Sequence, residues 1–344
     1  MYFLNLFPDL RQKLVERPRS WLVTGVGGFI GSHLLETLLR LDQRVIGLDD
    51  FSTGSPKNLE EVQAAVTPEQ WSRFILHRGS VADLPTCQMA TRGVDFILHH
   101  AGFISVPLSL EDPLGCHETN VTGTLNVLLA AREHGVQRVV YASSSAVYGD
   151  DPRPTKIESQ IGRPLSPYGA SKRINEIYAD QCFAHYGLAS VGLRYFNVFG
   201  PRQNPTGGYA AVIPQWITAL VRGKDCQIHG DGGITRDFCH VHNVVQANLL
   251  AATTENPRAL GQVFNVALGG STTLSALYEM IANRVASVTG RPAKPVHKGP
   301  PRPGDIQQSL AEITAIGREL GFDPQVSVDD GLEETVRWYA AQLG

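Results

Sequence analysis

The amino-acid sequence predicts an α/β fold, with a doubly wound parallel sheet and a smaller C-terminal lobe. Three observations carry this prediction. From Ser20 onward, short β-branched apolar runs alternate with segments of helical period. A glycine-rich turn joins the first run to a leucine-striped helix, and after Gly200 the composition shifts towards Pro, Gly and polar residues. Alternating strands and helices are typical of a parallel sheet that helices cover on both faces.

The individual elements follow from hydrophobic periodicity. The apolar runs predict strands at Trp21–Thr24, Arg44–Leu48, Phe74–Leu76, Phe96–His99, Val139–Ala142 and Val191–Tyr195. Helical spacing predicts helices at Gly28–Leu41, Asn120–His134, about 168–186, 211–222, 273–288 and 330–342. In the first of these, Leu34, Leu35 and Leu38 lie on one stripe, as in a helix that covers a sheet.

The chain of 344 residues is longer than a single hydrophobic core usually grows. We therefore predict an amphipathic N-terminal extension over residues 1–19, a large domain over 20–200 and a smaller lobe over most of 201–344. The boundary is expected to be interleaved, with some strands and helices after residue 240 returning to the large domain.

The composition points to a small-molecule partner. With 42% hydrophobic residues, 18% charged residues and a net charge of -3, nothing indicates a nucleic-acid surface or a membrane surface. The cysteines are scattered without metal-ligand spacing, which favours a reducing compartment; they are Cys87, Cys116, Cys182, Cys226 and Cys239. No signal peptide or apolar run of membrane-spanning length is recognised, so a cytoplasmic protein is expected.

The glycine-rich turn predicts a dinucleotide site in a Rossmann-type domain. Gly25, Gly28 and Gly31 recur every three residues between the first strand and the first helix, with Phe29 and Ile30 between the last two. Small residues there let a pyrophosphate approach backbone N–H groups at a helix start. A glycine-rich turn without a ligand is the alternative. Asp49, about twenty residues on, favours NAD over NADP because a carboxylate would bind the ribose and repel a 2′-phosphate.

Tyr168 and Lys172 are candidate catalytic residues. At positions i and i+4 of a predicted helix they share one face. A free tyrosine has a pKa of about 10. A nearby ammonium and the positive charge of an oxidised nicotinamide both favour the phenolate and are expected to lower that pKa. Such a pair also arises by chance on solvated helices. Ser144 follows a buried strand at the edge where doubly wound folds bind ligands, so its hydroxyl could pass a proton between a substrate and Tyr168.

Eight segments, in order along nearly the whole chain, match one known family of enzymes. They are the glycine turn, His99-His100-Ala101, Asn120-Val121-Thr122-Gly123-Thr124, Ser143-Ser144-Ser145, Tyr168 with Lys172, Leu193-Arg194-Tyr195-Phe196-Asn197-Val198-Phe199-Gly200, Arg236-Asp237-Phe238 and Arg302-Pro303-Gly304-Asp305. With these segments the sequence resembles the extended short-chain dehydrogenases/reductases that act on nucleotide sugars. Within that family it is similar to bacterial UDP-N-acetylglucosamine 4-epimerases.

This resemblance implies a role for each matching residue. Ser144, Tyr168 and Lys172 would be the catalytic trio, the last two also touching NAD. The lobe would bind a UDP-sugar; its expected substrate-binding residues, with Ser105 and Ser144 of the large domain, are Asn197, Arg236, Arg302, Asp305 and Ser309. A guanidinium suits a diphosphate because it binds two oxygens at once. The resemblance also implies a homodimer, built from helices near 114–134 and 167–187.

The sequence departs from the resembled family at several positions near the two ligands. Ser80 replaces an Asp that contacts the adenine. Ile104 and Leu108 replace a glycine and an arginine beside the expected sugar pocket, where Ile104 is expected to add bulk to a wall. Gly102 stands where an alanine is usual. These departures leave the identity of the sugar substrate undetermined.

The expected reaction is inversion at C4 of the sugar through a 4-keto intermediate. Related dehydratases and decarboxylases carry carboxylates where this chain has Ser145 and Ala146, so the keto sugar has no other evident fate. Ser309 leaves room for an N-acetyl group, which favours UDP-GlcNAc and UDP-GalNAc, unless it only begins or caps the segment leading to Ile313.

Several alternatives stay open. A UDP-N-acetylhexosaminuronic acid and the pair UDP-Glc and UDP-Gal are other possible substrates. A non-catalytic NAD-sensing protein is expected to have lost Tyr168 or Lys172, and both are present. No metal is expected, since His240 and His242 share a face but have no further suitable ligand nearby in the sequence.

Overall fold

The computed structural model describes residues 8–205, 211–300 and 308–343. The strands are β1 Ser20–Thr24, β2 Arg44–Asp49, β3 Phe74–Arg78, β4 Phe96–His99, β5 Arg138–Ser144, β6 Thr155–Lys156, β7 Ser190–Tyr195, β8 Val198–Phe199, β9 Gln227–His229, β10 Thr235–Arg236, β11 Cys239–His240, β12 Gln262–Val266, β13 Thr272–Thr273, β14 His297–Gly299 and β15 Gln308–Ala311.

The α-helices are α1 Pro8–Glu16, α2 Phe29–Arg40, α3 Pro56–Ala65, α4 Pro68–Trp71, α5 Leu84–Ala90, α6 Val106–Glu111, α7 Pro113–His117, α8 Gly123–Glu133, α9 Pro167–Tyr186, α10 Val212–Val221, α11 Val241–Thr253, α12 Leu274–Thr289, α13 Thr314–Leu320 and α14 Val328–Leu343. The predicted helix over Asn120–His134 differs at its start. A π-helical turn, Glu118–Thr122, precedes α8 and absorbs the first residues of the predicted helix.

The main sheet confirms the predicted α/β class. Its seven parallel strands run in the order β12-β7-β5-β4-β1-β2-β3, and all six predicted strands belong to it. The strand order reverses between β1 and β4, so the carboxyl ends of these two strands open a crevice. The seventh strand, β12, was not predicted individually; it comes from the C-terminal part of the chain and pairs with β7.

Helices cover both faces of this sheet, because its central strands are apolar on both sides. On one face, the leucine stripe of α2 packs with α11, and Leu34, Leu38 and Val244 are fully buried there. On the other face, α5, α8 and α9 cover the sheet. The helix α1 of the N-terminal extension joins the first face through Leu10 and Leu14.

A second, four-stranded sheet has the order β13-β10-β15-β6 and combines segments far apart in sequence. Beside it, α10, α12 and α14 enclose a separate apolar core that includes Trp216, Ile281 and Val336. The predicted boundary near residue 200 stays a prediction. Among the described residues, no helix is long and apolar enough to cross a membrane.

Candidate active site

The glycine turn forms a tight cradle between β1 and α2. Gly25 has a φ of +69°, and a Cβ on it would lie 2.7 Å from the backbone nitrogen of Ala101. A Cβ on Gly31 would lie 2.0 Å from the carbonyl oxygen of Gly25, so only glycine lets α2 approach the turn. Gly28 precedes the first residues of α2, Phe29 and Ile30. This close backbone approach at a helix start fits a bound dinucleotide pyrophosphate.

Asp49 closes the cradle at the end of β2. One of its carboxylate oxygens accepts the N–H of Gly27 at 2.7 Å, and the other accepts the N–H of Phe51 at 2.8 Å. Burial raises the pKa of Asp49, which these two hydrogen bonds oppose. Each carboxylate oxygen has a second lone pair, so the group can still accept a ribose hydroxyl. Asp50 is exposed and accepts the N–H of Ser52 instead.

The first turn of α9 positions Tyr168. Ser166 caps the helix by accepting the N–H of Gly169 at 3.1 Å, and Pro167 occupies the first helical position. The N–H of Tyr168 donates to Ser109 Oγ at 3.1 Å, which ties this turn to α6. Sequence-local signals therefore place the tyrosine just inside a helix start.

Lys172 lies one turn further along the same face, as predicted. Its Nζ lies 5.9 Å from the centre of the Tyr168 ring and donates to the carbonyl oxygen of Ala142 in β5 at 3.0 Å. Ser144 ends β5, and its hydroxyl forms a hydrogen bond with the Tyr168 side chain. The structure thus brings Ser144, Tyr168 and Lys172 together at the carboxyl edge of the main sheet.

The pKa of Tyr168 is shifted in the direction opposite to the sequence expectation. Burial raises the pKa of Tyr168, and the hydrogen bond with Ser144 opposes the rise without cancelling it. Burial lowers the pKa of Lys172 to about 8. The expectation of a lowered tyrosine pKa counted the ammonium and an oxidised nicotinamide and left out desolvation, which disfavours both charged forms. Lys172 also contacts a carbonyl oxygen rather than the phenol oxygen.

Three predicted substrate residues meet in the second region of the site. Arg236 in β10 pairs in register with Ser309 in β15, so the two residues are neighbours across the small sheet. The Asn197 side chain is exposed and donates to the carbonyl oxygen of Asp237 at 2.9 Å. Ser309 is the second residue of β15, and its carbonyl oxygen accepts the N–H of Asp237 at 3.1 Å. The alternative that Ser309 only begins the segment leading to Ile313 stays open.

Other predicted substrate residues lie elsewhere or outside the described part of the chain. Ser105 caps α6 by accepting the N–H of Leu108 at 3.2 Å. Ile104 is 70% exposed, and the expectation that it adds bulk to a pocket wall stays a prediction. Arg302 and Asp305 lie outside the described residues.

Two buried carboxylates organise the site and were missed in the sequence. Asp237 accepts the backbone N–H of Leu268 at 3.0 Å and of Ala311 at 3.4 Å, and so joins the ends of several strands. Burial raises the pKa of Asp237 to about 6, against its backbone hydrogen bonds. Its position between Arg236 and Phe238 in a matching motif was a signal that could have found it.

Glu176 is the second missed carboxylate. It accepts hydrogen bonds from Ser143 Oγ at 2.6 Å and from Arg194 Nε at 2.8 Å, and all three residues are buried. This network fixes the end of β5, next to Ser144, against α9 and β7. The available signal was its spacing, since Glu176 follows Lys172 by one helical turn and must share its face.

The expectation that His240 and His242 lack a further ligand is corrected by the tertiary structure. Glu334 of α14 comes within 3.9 Å of the former and 3.6 Å of the latter. Residues almost a hundred positions apart meet here because α14 packs across the start of α11.

Comparison with known proteins assigns the family. Residues 21–267 match the model of the NAD dependent epimerase/dehydratase family. The chain belongs to this family. The predicted resemblance is therefore confirmed, and NAD is the cofactor of this epimerase/dehydratase.

Three relatives cover almost the whole chain. UDP-glucose 4-epimerase of Mycolicibacterium smegmatis is 37% identical over 92% of this chain and 97% of its own length. dTDP-glucose 4,6-dehydratase of Streptomyces griseus is 35% identical over 92% of this chain and 93% of its own. The third is the solved structure of UDP-N-acetylglucosamine 4-epimerase from Methanobrevibacter ruminantium in complex with UDP-N-acetylmuramic acid. It is 35% identical over 94% of this chain and 99% of its own, and the two structures superpose with a TM-score of 0.85.

Proposed function

We propose that this protein inverts the C4 hydroxyl of a UDP-hexose, with UDP-GlcNAc and UDP-GalNAc as the preferred pair. The contact of Ser144 with Tyr168, with Lys172 alongside, carries the proposal because it supplies a proton acceptor at the carboxyl edge of the sheet. The two residues after Ser144 are Ser145 and Ala146, so this segment offers no carboxylate to expel water or carbon dioxide from the sugar.

The proposed roles follow from the contacts. Burial raises the pKa of Tyr168, and the positive charges of Lys172 and of an oxidised nicotinamide would favour its phenolate against this effect. As the phenolate, Tyr168 accepts the proton of the C4 hydroxyl, and Ser144 holds the substrate oxygen and relays the proton. Lys172 provides positive charge beside the phenolate. When bound, NAD would supply the hydride acceptor for C4 and the hydride donor for the opposite face of the 4-keto sugar. Tyr168 then gives the proton back to O4, so the net reaction is redox-neutral.

The proposed cofactor contacts involve the glycine cradle of Gly25, Gly28 and Gly31, with Phe29 and Ile30 at the helix start. Asp49 binds the adenosine ribose in this proposal, while Tyr168 and Lys172 face the nicotinamide side. The exclusion of any side chain from the cradle supports this assignment, since backbone atoms stand where each Cβ would be.

The preference for an N-acetylated sugar rests on the neighbourhood of Arg236. Ser309 is its partner across the small sheet, so a small side chain stands next to the guanidinium proposed to bind the diphosphate. Asn197, Arg302, Asp305 and Ser105 complete the proposed UDP-sugar contacts. A bulky residue at position 309 would remove space on this side of the site.

A second candidate substrate pair is UDP-glucose and UDP-galactose. The observation that favours it is the 37% identity with the mycobacterial UDP-glucose 4-epimerase. Both candidates use the same proton-transfer groups and differ only in the group at C2, so the trio does not separate them.

Purified protein incubated with UDP-GlcNAc, UDP-Glc and the corresponding uronates, without added NAD, tests the proposal. Anomeric proton signals in NMR are expected to report the C4 epimer of UDP-GlcNAc at the highest rate. dTDP-glucose belongs in the same series, because the Streptomyces relative is a dehydratase. Loss of water from any of these sugars, or turnover that needs stoichiometric NAD or NADPH, would contradict the epimerase proposal.

We also propose a homodimer formed by the helices near 114–134 and 167–187 of two copies, which are α7, α8 and α9. Apolar side chains of this region are exposed, including Leu114 at 81% in α7 and Ile177 at 46% in α9, with Leu110 at 64% in the neighbouring α6. Adjacent exposed apolar side chains are typical of an interface between chains. Sedimentation at micromolar concentration is expected to give a dimer, and Leu114→Asp is expected to give monomer.

A further inference from the structure

The start of α11 and the middle of α14 form a group of side chains outside the active site that the proposed reaction does not use. His240 and His242 stand at the start of α11, and Glu334 reaches them from α14. One ligating atom from each residue lies within 4.8 Å of the other two. The rings of the two histidines are 4.8 Å apart and almost perpendicular, at 88°.

His240 is the observation that calls for a ligand. Its side chain is fully buried, and neither ring nitrogen has a hydrogen-bond partner within the described residues. Buried polar atoms are normally satisfied, because leaving one unpaired costs free energy. The ring is also closely confined, since a Cβ on Gly331 of α14 would lie 2.7 Å from it. Glycine at that position lets α14 approach closely enough to bring Glu334 beside both imidazoles.

The distances are those of a site that closes with small side-chain movements. His240 Nε2 lies 3.9 Å and His242 Nδ1 lies 3.6 Å from Glu334 Oε2. Ligands at about 2.0–2.1 Å from a tetrahedral ion are about 3.3 Å apart. The separations therefore need to shorten by roughly 0.3 to 1.5 Å for all three atoms to reach one ion.

The surrounding charge also suits a cation. Arg202 is held by Glu36 at 2.5 Å and by Glu61 at 3.4 Å. Glu36 also pairs with Arg40 at 3.0 Å, so with Glu334 three carboxylates stand near two guanidiniums.

We propose that His240, His242 and Glu334 bind one divalent transition-metal ion of the zinc type. Two imidazoles and one carboxylate are ligands that Zn²⁺ accepts, with water in the remaining position. Water is available because the Glu334 side chain is 46% exposed. The ion would link α14 to β11. Strand β11 pairs with β8, which begins immediately after Asn197. Its role is therefore structural, and it takes no part in hydride or proton transfer.

Untagged protein, stripped with a chelator, provides the test. Titration with Co²⁺ is expected to give one ion per chain, with visible absorption bands of a four- or five-coordinate ion that Zn²⁺ abolishes. Zn²⁺ is expected to raise the thermal unfolding temperature of the same sample. Absence of stoichiometric binding, or bands of a purely aqueous octahedral ion, would overturn the proposal.

Glu334→Gln and His242→Asn change the partly exposed ligands and leave buried His240 in place. Loss of an outer-shell partner alone weakens metal binding by about 10–100-fold, so either variant is expected to weaken it by at least about 100-fold. His297→Gln is the matched control, because His297 lies 3.6 Å from Asp225 in an exposed pair without a second imidazole. Unchanged affinity in both ligand variants, or an equal loss in the control, would mean that the ion binds elsewhere.

Discussion

The proposed cofactor side and the proposed substrate side of this site are built in different ways. The cofactor side is made of neighbours in sequence, since Gly25 to Gly31 form one turn and Tyr168 and Lys172 belong to one helix. The substrate side joins residues that are far apart, with Arg236 and Ser309 meeting only because β10 and β15 pair. The groups proposed to bind NAD and to move the proton therefore lie in short segments of the chain. The surface proposed to select the sugar forms only when strands distant in sequence pair.

This difference predicts how substitutions will act. A change on the cofactor side is expected to remove turnover of every UDP-sugar, because the same groups move the proton whichever substituent the sugar carries at C2. A change on the substrate side is expected to alter the ratio of kcat/KM between different UDP-sugars. The predictions below test this contrast, beginning with the largest effect.

Tyr168→Phe is expected to reduce kcat by about 10³- to 10⁴-fold on every UDP-sugar, as general acid–base groups contribute up to about that factor. The ring stays and only the hydroxyl is lost, so UDP-sugar affinity should survive in calorimetry. Tyr178→Phe is the control, being an exposed tyrosine on the same helix. Near-normal turnover of Tyr168→Phe would show that another group accepts the proton.

Ser309→Tyr is expected to lower kcat/KM on UDP-GlcNAc by about 10- to 200-fold relative to UDP-Glc, the range that small differences in pocket shape produce. The physical reason is that the added ring occupies space that only the N-acetyl group needs. Ser309→Ala keeps the space and should leave the ratio of the two rates unchanged. An equal loss on both sugars would remove Ser309 from the specificity surface.

Gly31→Ala is expected to destabilise the protein by up to about 3 kcal/mol, because overpacking a tight contact costs about that much. The new Cβ would stand 2.0 Å from the carbonyl oxygen of Gly25. NAD affinity should fall at the same time, since α2 must move away from the cradle. Gly317→Ala in α13 is the comparison, with its nearest atom at 3.4 Å. Similar melting temperatures for the two variants would contradict the close-approach argument.

Asp237→Asn tests the organising carboxylate of the substrate half. The folded-state pKa of Asp237 is raised from 3.8 to about 6, so its stabilising contribution is full below about 4 and is lost as the pH rises through about 6. One pKa unit corresponds to about 1.4 kcal/mol, so the stability of wild type relative to the variant should fall by about 1–3 kcal/mol across this window. Denaturant unfolding at several pH values measures it. A constant difference from pH 4 to 7 would mean that Asp237 does not titrate there.

Sequence patterns were most informative where function depends on local geometry. The positions of Tyr168 and Lys172 on one helix face and of the glycine turn before α2 follow from spacing alone, because a helix and a strand-to-helix turn have fixed geometry. The pKa of Tyr168 did not follow, because burial depends on what α6 and β5 place around the ring. Ser105 illustrates the same limit, since its hydroxyl caps α6.

By itself, the sequence determined the parallel sheet, the dinucleotide cradle and the pairing of Tyr168 with Lys172. Each depends on contacts between residues within a few positions of one another, or on strand and helix periods. Only the tertiary structure decided that β12 joins the main sheet, that Ser309 lies beside Arg236 and that Glu334 reaches His240 and His242. These contacts join segments 70 or more residues apart, and their geometry depends on how whole helices and sheets pack, which local spacing does not encode.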